Sequence, residues 1–288
     1  MVSMAKLSHA LRSPKLPVVT DGVAVVTGAT SGIGLATATA LVQRQDVNFH
    51  VIGSTRDPSK VIDPIPGVEY LQLDLEQPES IARFCEEVLQ RGTPSVLVNN
   101  AGESQSGPLE ELPREALERL FQVNVIGHVD LTQRLLPAMR CAQQGRIVMV
   151  GSMLGSFPLA YRSSYVASKA AIKGFAFASR RELYPHGIGM TVMEPGSIST
   201  GLSSRRTKYV DEGGTYGKEF TKMINKLDRN EASGITPETV AEEILEAVLA
   251  ERPKPLYAKG SMAEIVFPLS RVVPTETMLW ILNKKHGL

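Results

Sequence analysis

Short apolar runs of β-type residues alternate along the chain with longer segments of helical periodicity. The first run, Val23–Val26, leads into a glycine-rich turn and then into a helical pattern that begins at Leu35. The further β-type runs are Phe49–Gly53, Glu69–Leu73, Ser95–Val98, Arg146–Val150, Gly189–Met193 and a candidate seventh, Leu256–Ala258. Because strands and helices alternate, right-handed crossovers would build one parallel sheet of about seven strands covered on both faces. The pattern predicts a doubly wound α/β fold.

The helical patterns and the composition suggest how the chain is divided. Helical periodicity covers Glu79–Gln90, Glu110 to about Met139, a segment ending near Leu183, and Pro237–Glu251. We expect an N-terminal extension over 1–20 and a single domain over 21–260 that carries an insertion at 202–235. An apolar tail over 261–288 ends in Lys284-Lys285-His286. This tail could cover the core, a neighbouring subunit or the mouth of a pocket, and contact with a membrane surface is the less favoured alternative.

The turn after the first strand has the composition of a phosphate-binding loop. Thr27-Gly28-Ala29-Thr30-Ser31-Gly32-Ile33-Gly34 joins that strand to a helix. Glycine allows a tight turn and a close approach to a ligand, and the helix start offers free N–H groups to a pyrophosphate. A plain turn is the alternative. The residues that we expect to bind a dinucleotide cofactor here are Gly28, Thr30, Ser31, Gly32, Ile33 and Gly34.

Polar residues follow the next two strands, at the edge where a parallel sheet binds its ligand. Thr55 and Arg56 follow the second strand, and Asp74 and Leu75 follow the third. A carboxylate after the second strand would bind the ribose hydroxyls of NAD, but this chain has Thr55 and Arg56 there. The planar guanidinium of Arg56 suits a 2′-phosphate, so NADP is the expected cofactor and NAD is less favoured. An ordinary surface arginine is the alternative.

A serine, a tyrosine and a lysine follow the fifth strand at a spacing that suits proton transfer. Tyr165 and Lys169 are four residues apart in a helical pattern, so they share one face. An adjacent ammonium could lower the tyrosine pKa by roughly 3 units, equal to about 4 kcal/mol of phenolate stabilisation. Such a tyrosine can protonate a carbonyl oxygen, and Ser152 could hydrogen-bond the same oxygen. The alternative is a solvated lysine near a half-buried tyrosine.

Composition narrows the classes of partner. The net charge is +1 and the pI is about 7.8, with both signs spread along the chain, so no nucleic-acid partner is expected. Cys85 and Cys141 are too few for a disulfide framework, which suits a cytoplasmic location. The first residues lack the apolar stretch of a signal peptide, and no segment reaches about 18 apolar residues. We expect no metal and no membrane span.

Taken in order from Val23 to Thr200, these motifs resemble the short-chain dehydrogenase/reductase superfamily in its main single-domain branch. Thr27–Gly34 resembles the cofactor turn of the family, and Asn99-Asn100-Ala101-Gly102 resembles its fourth-strand motif. The catalytic tetrad is matched by Asn124, Ser152, Tyr165 and Lys169, and the segment that holds the nicotinamide amide by Pro195-Gly196-x-x-x-Thr200. The resemblance implies a Rossmann-like fold and an NAD(P)-dependent oxidoreductase that acts on CH–OH groups.

The resemblance also implies a role for each member of the tetrad. Tyr165 is the general acid in reduction and the general base in oxidation, and Ser152 orients the substrate oxygen. Lys169 lowers the Tyr165 pKa and holds the nicotinamide ribose, while Asn124 keeps a water that links Lys169 to solvent. A buried asparagine that only satisfies local backbone is the alternative for Asn124. The further cofactor contacts that the resemblance implies are Asn100, Ala101, Gly102, Tyr165, Lys169, Pro195, Gly196, Ile198 and Thr200.

The segments around the tetrad should select the substrate. An apolar wall there favours a hydrophobic ketone or secondary alcohol, and core packing is the alternative. The wall residues are Met153, Leu154, Phe157, Pro158 and Leu159. The sequence of this segment resembles that of the steroid, retinol and other lipophilic-alcohol dehydrogenases. Arg205, Arg206 and Lys208 could instead meet an anionic acyl carrier, as in a 3-oxoacyl-thioester reductase, or form a solvated loop.

Two further expectations concern activity and assembly. A nucleotide-binding sensor or scaffold is the non-enzyme alternative, and the intact tetrad argues against it. The helices over Glu110–Met139 and Ser164–Leu183 should pair with their copies in a homodimer or homotetramer.

Overall fold

The computed structural model describes residues 13–201 and 203–288. A parallel sheet of seven strands lies at its centre, in the order β3-β2-β1-β4-β6-β7-β9. With strands numbered along the chain, its members are β1 Asp21–Val26, β2 Asn48–Thr55, β3 Val68–Gln72, β4 Pro94–Asn99, β6 Gly145–Val150, β7 Ile188–Pro195 and β9 Leu256–Lys259. The two-residue strands β5 (Gln105–Ser106) and β8 (Thr207–Lys208) pair with each other outside the sheet. The predicted strands and the doubly wound order are confirmed.

Helices cover both faces of the sheet. They are α1 Gly32–Gln43, α2 Pro78–Arg91, α3 Arg114–Phe121, α4 Gly127–Ala142, α5 Ser163–Leu183, α6 Gly217–Ala232, α7 Pro237–Leu249, α8 Ala263–Leu269 and α9 Thr275–Lys285. Side chains of α2, α4 and α5 pack on one face, and side chains of α1 and α7 pack on the other. Successive strand residues point to opposite faces, so Ile147 joins the first cluster and Val148 the second. Each such buried side chain contributes about 1.5–3 kcal/mol to folding.

The helix predicted over Glu110–Met139 is wrong in its first part and in its continuity. Leu109–Glu111 forms a separate 3₁₀ turn, and α3 begins only at Arg114, after Pro113. A π-helical turn, Gln122–Ile126, then separates α3 from α4. Proline lacks the N–H that an interior helix position must donate, and the start of a helix does not need this group. Proline therefore favours the start of a helix. The π turn places Asn124 toward the sheet edge where the site lies, and such turns often mark functional positions.

The described part of the insertion, 203–235, packs on the rest of the fold. Its helix α6 buries an apolar face against Leu159. The buried residues of that face are Phe220, Met223, Ile224 and Leu227. The tail folds as α8 and α9 and packs on Met153 and Phe157 through Met278. Within the described residues, no helix is long and apolar enough to cross a membrane.

Candidate active site

A cavity of about 570 Å³ opens at the carboxyl ends of the strands. It extends from the turn after β1, where the strand order reverses between β1 and β4, to the tail helices α8 and α9. A reversal of this kind leaves a crevice, because the helices that follow the two neighbouring strands lie on opposite faces of the sheet. Every residue that the sequence predicted to contact the cofactor lines this cavity, except Gly34.

Gly34 has a packing role instead. A Cβ at this position would overlap the carbonyl oxygen of Gly28, so only glycine lets α1 pack against the turn. Gly28 itself has φ +68°, and its Cα approaches β4 so closely that a Cβ would lie 3.1 Å from the Cα of Ala101. Both glycines are therefore required by the backbone, which holds the turn in the shape that the cavity needs.

The turn is fixed to the end of β4 by side-chain hydrogen bonds. The backbone N–H groups of Asn100 and Ala101 donate to Thr27 Oγ1 over 2.8 and 2.9 Å, and Asn100 Nδ2 donates to Thr27 O over 2.9 Å. Ser31 precedes α1 but makes no side-chain capping bond, which leaves first-turn N–H groups for an anion. These residues fit the pyrophosphate of a dinucleotide.

At the far end of the turn, Arg56 and Arg205 line the same cavity. Arg56 is exposed after β2, and no carboxylate of the described residues forms an ion pair with it. Arg205 reaches back across the cavity, where its Nη1 donates to Ser31 Oγ over 3.3 Å. Arg205 is not among the cofactor contacts that the sequence predicted. The two residues are 174 positions apart, and no local pattern could have linked them.

The tetrad residues converge at the end of β6. Ser152 follows this strand, and its Oγ accepts a hydrogen bond from the backbone N–H of Leu154 over 3.2 Å. Tyr165 and Lys169 lie one turn apart on α5, and both are buried. Lys169 Nζ donates to Val150 O over 2.9 Å and lies 5.8 Å from the centre of the Tyr165 ring. The structure thus brings together the serine, tyrosine and lysine that the sequence selected.

Asn124 is fully buried beside this group without lining the cavity. Its Oδ1 accepts from the Glu103 backbone N–H over 2.8 Å, and its Nδ2 donates to Glu103 O and to Ser168 Oγ over 3.0 and 3.2 Å. The alternative in which Asn124 satisfies local backbone is therefore supported. A role in proton return, through a water held near Lys169, stays a prediction.

The expectation about the Tyr165 pKa has to be corrected. Burial raises the pKa of the Tyr165 phenol, and the cation that lowers it most is Arg162, followed by a hydrogen bond with Ser152 and by Arg206. Burial also lowers the pKa of Lys169 to about 8. Sequence reasoning found the lysine but missed Arg162, because an arginine three residues before a tyrosine has no distinctive signal.

An apolar wall stands beside Tyr165. Met153, Leu154 and Phe157 line the cavity, while Pro158 is exposed and Leu159 packs against α6. The prediction of a wall is confirmed for the first three residues and wrong for the last two. The tail completes the wall with Met262, which precedes α8, and with residues from α8 and α9: Ile265, Val266, Leu269, Met278, Ile281 and Leu282. The tail therefore lies at the mouth of the pocket, one of the locations that the sequence left open.

The charged segment of the insertion is exposed at Arg205 and Lys208 but not at Arg206. Arg206 is buried and pairs with Asp228 and with Glu231, whose Oε1 lies 2.6 Å from Arg206 Nη2. Lys208 lies 3.7 Å from Asp228 at the surface. Both carboxylates are on α6, and Glu231 also lines the cavity. An ionic cluster therefore borders the apolar wall near Tyr165.

Comparison with known proteins decides the family. The family model described as "short chain dehydrogenase" matches residues 22–210. The chain belongs to this family. It is 34% identical over 263 residues to an uncharacterized oxidoreductase of Escherichia coli, YbbO, with 90% of this chain and 93% of that protein covered. A 3-ketodihydrosphingosine reductase of Bacteroides thetaiotaomicron is 28% identical over 263 residues, with 90% and 96% covered.

Solved structures agree with this assignment. A short-chain dehydrogenase from Streptomyces avermitilis aligns with a TM-score of 0.76 at 30% identity, covering 88% of this chain and 93% of that one. A metagenomic short-chain oxidoreductase in complex with NADP aligns with a TM-score of 0.66 at 26% identity, covering 84% and 97%. The protein is an NAD(P)-dependent dehydrogenase/reductase with a Rossmann-like fold, as the sequence predicted.

Proposed function

We propose that this protein uses NADP(H) to interconvert a hydrophobic ketone and the corresponding secondary alcohol. The observation that carries the proposal is the composition of the cavity around Tyr165. On one side lies a glycine turn that fits a pyrophosphate, and on the other an apolar wall shared by the segment after Ser152 and the tail. A carbonyl group held between them would lie within reach of Ser152 and Tyr165.

The proposed proton donor is Tyr165. In reduction, its O–H bond breaks as the proton passes to the carbonyl oxygen, and Ser152 donates a hydrogen bond to that oxygen as negative charge develops. The reduced nicotinamide, when bound, supplies the hydride for the new C–H bond. In oxidation, the phenolate of Tyr165 takes the proton of the alcohol. Lys169, buried beside the ring, is proposed to stabilise that phenolate and to hold the nicotinamide ribose.

The preference for NADP(H) rests on two guanidinium groups. Arg56 follows β2, where the adenosine ribose of a bound dinucleotide would lie. Position 55 holds a threonine and not a carboxylate that could bind the ribose hydroxyls. Arg205 adds a second cation at Ser31 in the glycine turn. A 2′-phosphate carries about two negative charges, so two planar donors favour it over the uncharged hydroxyl of NAD(H).

A lipid-like ketone is the proposed substrate class. The wall of apolar side chains from α8 and α9 suits a long hydrocarbon group, and a relative that covers most of this chain is named for reducing a ketosphingoid base. A 3-oxoacyl thioester has less support, because Arg206 is buried against α6 and leaves only Arg205 and Lys208 of the three cations exposed to meet an anionic carrier. The sensor alternative lacks support because all four tetrad positions are intact.

The test is NADPH oxidation with a panel of carbonyl compounds. The panel should contain a steroid ketone, retinal, a series of alkyl ketones, a long-chain 3-keto amino alcohol and a 3-oxoacyl thioester. Each buried CH₂ contributes about 0.8 kcal/mol, so kcat/KM should rise about fourfold per methylene within the alkyl series. A kcat/KM that does not change with chain length, or turnover that occurs only with the thioester, would contradict the proposed substrate class.

A further inference from the structure

Arg162 immediately precedes α5, and its guanidinium lies against the ring of Tyr165. The guanidinium carbon is 4.2 Å from the ring centre, closer than the 5.8 Å of the Lys169 ammonium. Arg162 is only 1% exposed, and yet it lines the same cavity as the tyrosine. A cation at this distance from an aromatic ring interacts strongly when it is shielded from water.

The hydrogen-bond partners of Arg162 are neutral. Its Nη1 donates to Ser104 Oγ, Gln105 O and Ser106 Oγ over 3.0, 2.8 and 2.8 Å. Its Nε is buried without a hydrogen-bond partner, and no carboxylate in 13–201 or 203–288 forms an ion pair with it. Burial lowers the pKa of Arg162 to about 10, so the group remains a cation at neutral pH. Its charge is not neutralised by direct contact and therefore acts on the ring beside it.

Several other charged groups face Tyr165. Arg206 approaches from the segment before β8 and Glu231 from α6, and these two residues pair with each other. Lys169 lies on the same helix as the tyrosine and donates to Val150 O. The ionisable groups elsewhere around the cavity are Asp74, Glu76, Glu103, Arg119, Arg205, Lys285, His286 and Arg56. Of the groups near the ring, Arg162 and Arg206 favour the phenolate, and Glu231 opposes it.

We propose that Arg162 is a positioning residue whose guanidinium stabilises the phenolate that remains when Tyr165 gives up its proton. The α6 residue Glu231 opposes this effect, so the charge cluster sets the proton affinity of the tyrosine. The proposal rests on the proposed role of Tyr165 in proton transfer. It adds a second cation to the lysine that the tetrad already contains.

The proposal predicts pH shifts of opposite sign for two substitutions. Arg162→Gln removes the cation and should raise the midpoint of Tyr165 ionisation by about one unit. Glu231→Gln removes the opposing carboxylate and should lower that midpoint. Arg162→Lys keeps a positive charge and should restore part of the shift. If Arg162 and Glu231 only supported the fold, the two substitutions would not shift the Tyr165 midpoint in opposite directions.

The measurement does not depend on knowing the substrate. Phenolate absorbance near 295 nm is titrated in each variant saturated with NADP⁺, and the same titration of a matching Tyr165→Phe protein is subtracted. Arg146→Gln is the matched control, since Arg146 is equally buried, also donates only to neutral oxygens and lies at the end of β6 opposite Ser152. This control should cost stability without moving the midpoint.

Each outcome decides a different statement. Unchanged midpoints in Arg162→Gln and Glu231→Gln, or shifts of the same sign, would overturn the role of Arg162. If Arg162→Gln does not fold, Arg162→Lys and Glu231→Gln decide the question by the same criterion. Turnover retained by Tyr165→Phe would instead overturn the proposed function, and the titration would still report whether Arg162 acts on the phenol.

Discussion

Arg205 Nη1 donates to Ser31 Oγ over 3.3 Å, so the segment that follows β7 contacts the glycine turn that follows β1. This contact lies on the wall of the cavity that also contains Arg56. It connects the insertion to the cofactor end of the site, whereas the neighbouring Arg206 forms an ion pair with α6, within the insertion itself. Adjacent arginines thus have separate roles, one at the cofactor turn and one in the packing of the insertion.

Loss of either arginine at the cofactor end should weaken NADPH binding. A charge-assisted hydrogen bond to phosphate is worth about 1.5–3 kcal/mol, so Arg56→Leu and Arg205→Gln should each raise the Kd for NADPH about tenfold or more. The Kd for NADH should change much less, because NADH lacks the 2′-phosphate. Fluorescence titration of both cofactors measures the two effects, and Thr55→Asp with Arg56→Leu should reverse the preference.

Lys208→Gln is the control for this experiment. Lys208 belongs to the same segment as Arg205, but it is exposed and does not line the cavity. Its replacement should leave both Kd values unchanged. An equal loss of NADPH and NADH affinity in Arg205→Gln would show that Arg205 contacts the pyrophosphate and not the 2′-phosphate. No loss in Arg56→Leu would make Arg56 an ordinary surface residue.

Removal of the Tyr165 hydroxyl should abolish turnover while cofactor binding survives. Tyr165→Phe keeps the ring against Arg162 but cannot donate a proton, so kcat should fall by at least about a hundredfold. Lys169→Ala should lose activity and also bind NADPH more weakly if the lysine holds the ribose. Steady-state kinetics and cofactor titration separate these cases.

Two results would count against these roles. Tyr165→Phe with more than about a tenth of the wild-type kcat would remove the tyrosine from proton transfer. Lys169→Ala with unchanged NADPH affinity would remove the ribose contact and leave only an electrostatic role. Burial lowers the pKa of Lys169 to about 8. Above that pH the lysine loses its charge, so its stabilisation of the Tyr165 phenolate should also decline in the wild-type protein.

The sequence predicted the sheet because its strands are short apolar runs that a parallel sheet buries on both faces. It could also have predicted α6, since Phe220, Met223, Ile224 and Leu227 follow the spacing of one helix face. The π turn at Gln122–Ile126 was not predictable, because no residue pattern marks it apart from the surrounding helix. Tertiary packing decided that local geometry.

The site was predictable where residues follow strand ends and unpredictable where distant segments meet. Ser152, Tyr165 and Lys169 are close in sequence, and the fold needs only one strand and one helix to bring them together. Arg205, Glu231 and the tail reach the cavity from outside this unit. The Tyr165 pKa was misjudged for the same reason, since burial and Arg162 became visible only in the folded protein.

His128 should make folding stability dependent on pH. It is buried, with Nε2 2.7 Å from Ala101 O and Nδ1 3.1 Å from Asn99 Oδ1, and burial lowers its pKa to about 4. Below pH 6.5 the unfolded chain takes up a proton that the folded protein excludes. The stabilising effect of the neutral ring is therefore complete above pH 6.5 and is lost as pH falls toward 4, by about 3 kcal/mol in total.

Urea unfolding of wild type and His128→Asn between pH 7.5 and 4.5 tests this dependence. Carboxylates titrate in both proteins, so the difference between the two curves isolates the histidine. The gap in unfolding free energy should narrow as pH falls. A constant gap across this range would show that His128 is protonated in the folded protein or does not titrate in this window.

Oligomer formation should depend on the two exposed flanks of α5. Phe175 and Phe177 on this helix are 46% and 42% exposed, and large apolar side chains in this position are typical of subunit contacts. Phe175→Glu should convert a closed dimer or tetramer to monomer at micromolar concentration, because a carboxylate would be buried without a partner. Trp280→Glu is the control, since Trp280 is 63% exposed on α9, away from α5 in the chain. Light scattering that finds monomer in the wild type would contradict oligomer formation. Dissociation in Trp280→Glu alone would place the subunit contact on α9.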